Sequence, residues 1–145
     1  MNSDNYMKLE FLSRSVNEGF ARMAAAAFVM QLDPTLDELG DIKTAVSEAV
    51  TNAIVHAYPD GLGKIRMHGR ILEDNSVEFT IRDYGCGIPN IEQARTPLFT
   101  TGGEERSGMG FTIMESFTDK LRVRSKPAKG TTVTFLRKIE QRGRK

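Results

Sequence analysis

Tryptophan is absent, and cysteine occurs once, at Cys86. A single thiol excludes an internal disulfide and any zinc site built on several cysteines. No apolar run is longer than Met23 to Met30, far short of the roughly 20 residues a bilayer-spanning helix needs. The opening MNSDNYMKLE has no basic-then-apolar leader pattern, so the expectation is a cytoplasmic chain with no membrane partner. Neither sign of charge dominates: 20 Lys and Arg against 19 Asp and Glu leave a net charge of +1. That balance argues against direct coating of nucleic acid or of an anionic membrane. Repeats and low-complexity linkers are missing as well. What is present is 145 residues, 39% hydrophobic and 27% charged. That suits one domain over residues 1–145, with enough chain to bury an ordinary core.

Tyr6 to Ser13 alternates and predicts a first strand. Ser15 followed by Glu18 is a capping-box pattern that predicts a helix down to about Leu32, with Phe20, Met23, Ala24, Ala27 and Phe28 on its apolar face. Thr35 followed by Glu38 repeats the pattern and opens a longer helix, with Ile42, Ala45, Val46, Ala49, Val50 and Ala53 in one stripe. Pro59, Gly61 and Gly63 end it. Strands are expected at Lys64–Leu72 and Ser76–Tyr84 across the turn Glu73-Asp74-Asn75. Gly85 to Gly110 is glycine-rich, with one short helix expected near Ile91–Ala94. A third helix around Phe111 to Leu121 precedes two closing strands, Lys120–Ser125 and Thr131–Lys138. The expected class is α/β (α+β), a two-layer sandwich in which a mixed, mainly antiparallel sheet is covered on one face by helices. An irregular stretch this long inside a compact domain points to function.

Three places could carry chemistry. Glu48 and Asn52 lie one turn apart on one face of the second helix. Spacing alone leaves two readings: boundary polar residues of an amphipathic helix, or a metal ligand with a general base beside it. An asparagine oxygen can hold magnesium without cancelling its charge, and a carboxylate can take a proton from an attacking hydroxyl. Asp83, with Gly85 and Gly87, ends a strand. Glycines there can serve a turn or a close approach to a flat ligand, and a carboxylate accepts from the exocyclic amine of adenine while repelling a guanine carbonyl. Pro89 and the missing third glycine exclude a dinucleotide-binding fingerprint. Arg106-Ser107-Gly108-Met109-Gly110 precedes a helix, where free N–H groups favour phosphate and an arginine fork suits its oxygens. A P-loop lysine motif and the eukaryotic kinase signatures are absent.

Taken together, Glu48 with Asn52, Asp83-x-Gly85-x-Gly87, Gly108-x-Gly110 and Gly130-Thr131 resemble, in order, the boxes of the GHKL (Bergerat-fold) ATPases. That superfamily includes gyrase, Hsp90, MutL and histidine-kinase catalytic domains. The runs Ala45 to Ala53, Arg95 to Thr101 and Glu105 to Glu115 narrow the likeness to the anti-sigma-F family of spore-forming bacteria, over about residues 7–138. The resemblance implies ATP or ADP as nucleotide, magnesium on Asn52, adenine read by Asp83 with support from Thr131, and an ATP lid at about 89–107. It implies Glu48 as general base, Arg106 as a phosphate-contacting residue and Arg22 as a partner contact. It further implies a homodimer that inhibits a sporulation sigma factor and phosphorylates a serine on an anti-anti-sigma protein. Gly102-Gly103-Glu104 makes the lid look shorter than the family's.

Alternatives of other kinds are a stress-response (sigma-B type) anti-sigma kinase, a nucleotide-gated sigma-binding module without phosphotransfer, a histidine-kinase catalytic half and a plain ATP hydrolase. The dimer interface is expected on the first strand and first helix. His56 reads as a helix-end dipole partner and His68 as a strand residue without metal companions. Cys86 reads as a small filler beside the nucleotide. Met23, Met30, Met109 and Met114 read as core or lid packing, and the basic tail 139–145 as a solvated end.

Overall fold

A computed structural model describes residues 3–87 and 109–140. The expected lid at 89–107 and the short helix near Ile91–Ala94 lie outside these residues. The elements run β1 (Ser3–Leu12), α1 (Asn17–Val29) with a 3-10 turn at Met30–Leu32, α2 (Leu36–His56), β2 (Lys64–Leu72), β3 (Ser76–Asp83), α3 (Met109–Ser116), β4 (Lys120–Lys126) and β5 (Gly130–Lys138). The five strands form one sheet in the order β1-β2-β3-β5-β4, and every ladder among them is antiparallel. The helices cover one face, as expected. Short links do the rest: Asn75 at φ 68 closes the β2–β3 hairpin and Ala128 at φ 65 the β4–β5 hairpin, both left-handed turn positions.

The core lies between α2 and the inner face of the sheet. Ile42, Val46 and Val50 meet Ile65, Met67, Phe79, Ile81 and Phe135, all essentially inaccessible to solvent. Burying aliphatic and aromatic side chains at about 25 cal/mol per Å² makes this the main source of stability. α2 touches both α1 and α3 and so stands at the centre of the helical layer.

The two capping patterns behave differently. Thr35 forms the full box, its hydroxyl accepting from the Glu38 N–H at 3.0 Å while the Glu38 carboxylate accepts from the Thr35 N–H at 2.9 Å. Ser15 does not cap: Val16 occupies the cap position in helical conformation without a side-chain bond, and Glu18 instead reaches forward to Arg22 at 3.0 Å. The expected face of α1 is also corrected. Ala21, Ala25, Ala26, Phe28 and Val29 are buried, whereas Phe20, Met23 and Met30 are more than half exposed. Small alanines let α1 approach α2 closely, which leaves the bulkier residues outside. Met114, by contrast, is fully buried.

The chain's end is tied down later than expected. Ile139 is buried, its N–H bonding the Asn75 carbonyl at 3.1 Å. The Glu140 N–H donates to Glu38 at 2.9 Å, so those two residues belong to the domain rather than to a solvated tail.

Candidate nucleotide-binding site

Asp83 is the centre of the site. It is the last residue of β3, on the helix-facing side, and only 6% exposed. Both of its protein donors converge on one oxygen: Oδ1 accepts from the Gly85 N–H at 3.0 Å and from the Thr131 N–H at 3.1 Å. Neither bond engages Oδ2. Burial raises the carboxyl's pKa above its ordinary value, and the two amides oppose that shift. The side chain is thus desolvated and held in one orientation.

The backbone around it is packed without room for side chains. Gly130, at φ +105, lies so close to the Asp83 carbonyl that a Cβ would collide with it, and Gly85 stands in the same relation to the Ala57 carbonyl. Gly87, at φ +78, abuts the Lys126 carbonyl. The close approach these glycines permit is therefore to the protein's own backbone, which draws three segments together at Asp83. Hydrogen bonds complete the join: the Cys86 N–H donates to the Ala57 carbonyl at 2.9 Å and the Ala128 N–H to the Cys86 carbonyl at 2.7 Å. Cys86 itself is exposed, with its thiol donating to the His56 carbonyl at 3.1 Å, so it fills no buried space.

Residues with no sequence signature contribute. The Tyr58 hydroxyl donates to the Lys64 carbonyl at 2.6 Å and accepts from the Tyr84 N–H at 2.7 Å. It ties the segment after α2 to the start of β2 and the end of β3. Ser125 shares a 2.8 Å hydroxyl contact with Thr131, so Thr131 supports Asp83 through its backbone while its side chain is anchored to β4.

Glu48 and Asn52 sit on α2, one turn apart and half-buried. Asn52 lies about 7.5 Å along the helix axis from Ala57, whose carbonyl meets the Asp83 loop. The central helix thus leads toward the same end of the sheet as Asp83. Met109 and Gly110 form the first residues of α3; Arg106, Ser107 and Gly108 lie outside the described residues. Arg22 is on α1, paired with Glu18. His68 faces outward on β2 with its ring edge-on to Tyr6, and burial, with Lys8 and Arg70 adding to it against Glu78, lowers its pKa.

Residues 11–137 match the model of a histidine kinase-like ATPase domain. The chain is 60% identical over 138 residues to the anti-sigma F factor of Geobacillus kaustophilus, covering 92% of each. It is 53% identical over 137 residues to that of Clostridium perfringens, covering 94% of this chain and 98% of the relative. The chain belongs to the anti-sigma F factor family. Among solved structures, the RsbU and RsbW domains of Rv1364c from Mycobacterium tuberculosis align at TM-score 0.71 and 18% identity, over 97% of this chain and 34% of that one. The mycobacterial sensor histidine kinase MprB aligns at 0.58 and 16%, over 94% of this chain and all of that one. At such identities these two show a shared fold. The family's ATPase domain binds nucleotide. No helix among the described residues is long and apolar enough to cross a membrane.

Proposed function

We propose that this protein is an anti-sigma factor that inhibits a sporulation sigma factor and, with Mg-ATP, phosphorylates a serine of an anti-anti-sigma protein. The observation that carries this reading is the high identity to anti-sigma F factors along nearly the full chain, combined with an intact Asp83 centre. Asp83 Oδ2 would accept from the adenine amine. Among the described residues no group of three or more His, Cys, Asp or Glu could hold a metal. That suits an ion bound through one protein oxygen and the phosphates, as magnesium commonly is. Magnesium on Asn52 would supply neutralisation of the triphosphate charge. Glu48, a turn before it, would take the proton of the serine hydroxyl as the serine oxygen bonds to the terminal phosphorus and ADP leaves. Arg106 and the amides of Ser107 to Gly110 would hold the charge that develops on the phosphate.

The outer face of α1 supports a docking and dimer surface. Val16, Phe20, Met23 and Met30, all exposed, recur along one side of the helix, with Arg22 on its flank. A contiguous apolar stripe of this kind fits a protein partner.

The test is transfer of labelled terminal phosphate from Mg-ATP to a purified anti-anti-sigma protein. Wild type should label a serine. Asn52→Ala should lose transfer together with magnesium-dependent ATP binding, while Glu48→Ala should lose transfer by about 100-fold or more and keep ATP. Transfer at the wild-type rate in Glu48→Ala would overturn the base assignment.

A further inference from the structure

None of the described elements covers the sheet face opposite the helices, and its side chains line up in rows set by the strand register. One row reads Glu10, Arg66, Arg82, Thr132, Arg124 across β1-β2-β3-β5-β4. The next reads Lys8, His68, Thr80, Thr134, Arg122, and the third Tyr6, Arg70, Glu78, Leu136, Lys120. These rows hold seven Lys or Arg against two Glu, on a chain whose total charge is +1. The cationic excess is therefore concentrated on one surface and offset elsewhere.

Protection of a sheet edge does not account for it. Edge strands often carry lysine to prevent pairing with other chains, and β4, with every outward residue from Lys120 to Lys126 a cation, fits that description. Arg66 and Arg82, however, stand directly opposite one another on interior strands, an arrangement that costs free energy. Arg66 pairs with Glu10 at 2.9 Å and Arg70 with Glu78 at 2.7 Å. Among the described residues Arg82, Arg122 and Arg124 have no carboxylate partner. Arg82 lies over the Tyr84 ring at 4.8 Å.

The shape is as specific as the charge. Thr80, Thr132 and Thr134 form a low floor, with the Thr80 and Thr134 hydroxyls 3.3 Å apart. Long cations rise on both sides, from β2 and β3 on one flank and from β4 on the other. The β3-to-β4 span is two strand spacings, about 10 Å, the width of one helix or extended segment. A shallow cavity of about 200 Å³ lined by Tyr6, Lys8, His68 and Arg70 opens on the same face.

We propose that this threonine-floored trough binds an acidic polypeptide segment, with carboxylates directed to Arg66 and Arg82 on one side and Arg122 and Arg124 on the other. The surface lies across the sheet from the nucleotide site and is separate from the α1 stripe. Glu10 and Glu78 within the patch would repel regularly spaced phosphates, but a protein can place a cation opposite each. Tyr84, already covered by Lys64, Arg66 and Arg82, offers no open ring for base stacking. A second copy of the same face would bring like charges together.

The full chain would be titrated by fluorescence anisotropy against a labelled 15-residue poly-glutamate peptide and, in parallel, a 15-nucleotide oligothymidine. The peptide should bind wild type at low salt and weaken steeply as salt rises from about 0.05 to 0.3 M. Arg122→Glu/Arg124→Glu should lose at least tenfold in affinity while ATP binding and melting temperature stay unchanged. Arg14→Glu/Lys43→Glu, with the same change in net charge away from the trough, should lose less than twofold. Equal losses in the two double variants, no binding of the peptide, or tighter binding of the oligonucleotide would each overturn the proposal.

Discussion

The two faces of the sheet share strands and backbone yet follow opposite rules. On the helix side, Asp83 is desolvated, its carboxylate fixed by two amides and surrounded by glycines that tolerate no added atom. On the open side, Arg66 and Arg82 lie over the Tyr84 ring, Arg66 also pairs with the exposed Glu10, and Arg122 and Arg124 have no carboxylate partner among the described residues. Alternation along β3 sends Arg82 to one environment and Asp83 to the other. A buried site derives specificity from a few groups whose removal is costly; an open one derives it from many weak charges, each dispensable. A net charge of +1 conceals this division, because it averages the faces.

The contrast predicts a graded series of effects. Gly130→Ala or Gly85→Ala should be most severe, costing about 3 kcal/mol or more, since the new methyl meets backbone rather than a movable side chain. Gly40, on α2, is the counterpart, because a Cβ added there would meet nothing within 4 Å. Gly40→Ala should stabilise by roughly 0.5–1 kcal/mol. Chemical denaturation of the three variants separates these outcomes.

Asp83→Asn should keep the fold, because an amide oxygen can still accept from Gly85 and Thr131. ATP affinity, measured calorimetrically, should fall about 10- to 100-fold through loss of a charged acceptor. The same pair of proteins has a pH signature. The raised pKa means the folded state holds this proton more tightly than the unfolded chain. The cost of ionising it is therefore absent in acid and accumulates as pH rises through the folded value. Wild-type stability relative to Asp83→Asn should decline from about pH 4 upward.

Glu38 behaves in the opposite sense. Burial pushes its pKa up, but bonds from Glu140 and Thr35, with Arg137 nearby, outweigh that and leave it lowered. Its contribution is present above the ordinary carboxylate range and is lost as pH falls through the folded value. Glu38→Gln should cost about 1–3 kcal/mol at neutral pH and progressively less in acid. Arg122→Ala or Arg124→Ala should be smallest, within about 0.5 kcal/mol in a thermal melt.

Much of this was readable in the chain. The expected bounds of β2 and β3 hold to within one residue, and the Asp83-x-Gly-x-Gly spacing picked out a buried carboxylate held by two amides. The failures have physical causes. Ser15 and Thr35 carry the same pattern, but a glutamate can reach back to a cap or forward to an arginine one turn on, and Glu18 found Arg22. On α1 apolar residues occur all round, so periodicity could not decide between Ala25 and Met23 as the buried side; close helix contact favours the smaller residue. Tyr58 and Ser125 were invisible because each acts through a single hydroxyl on a neighbouring strand, Tyr58 reaching as far as Tyr84, and no sequence pattern marks such a contact. The cationic trough was invisible because its residues come from four strands, and only the register assembles them.

The hydroxyl that links Tyr58 to Lys64 and Tyr84 has a practical corollary. Without tryptophan, ultraviolet emission comes from three tyrosines: Tyr58 is hydrogen-bonded beside the Asp83 loop, while the rings of Tyr6 and Tyr84 lie among the outward-facing cations. The protein thus contains its own optical reporters, one group for each face. Replacing Tyr6 and Tyr84 with phenylalanine would leave a signal that comes only from Tyr58.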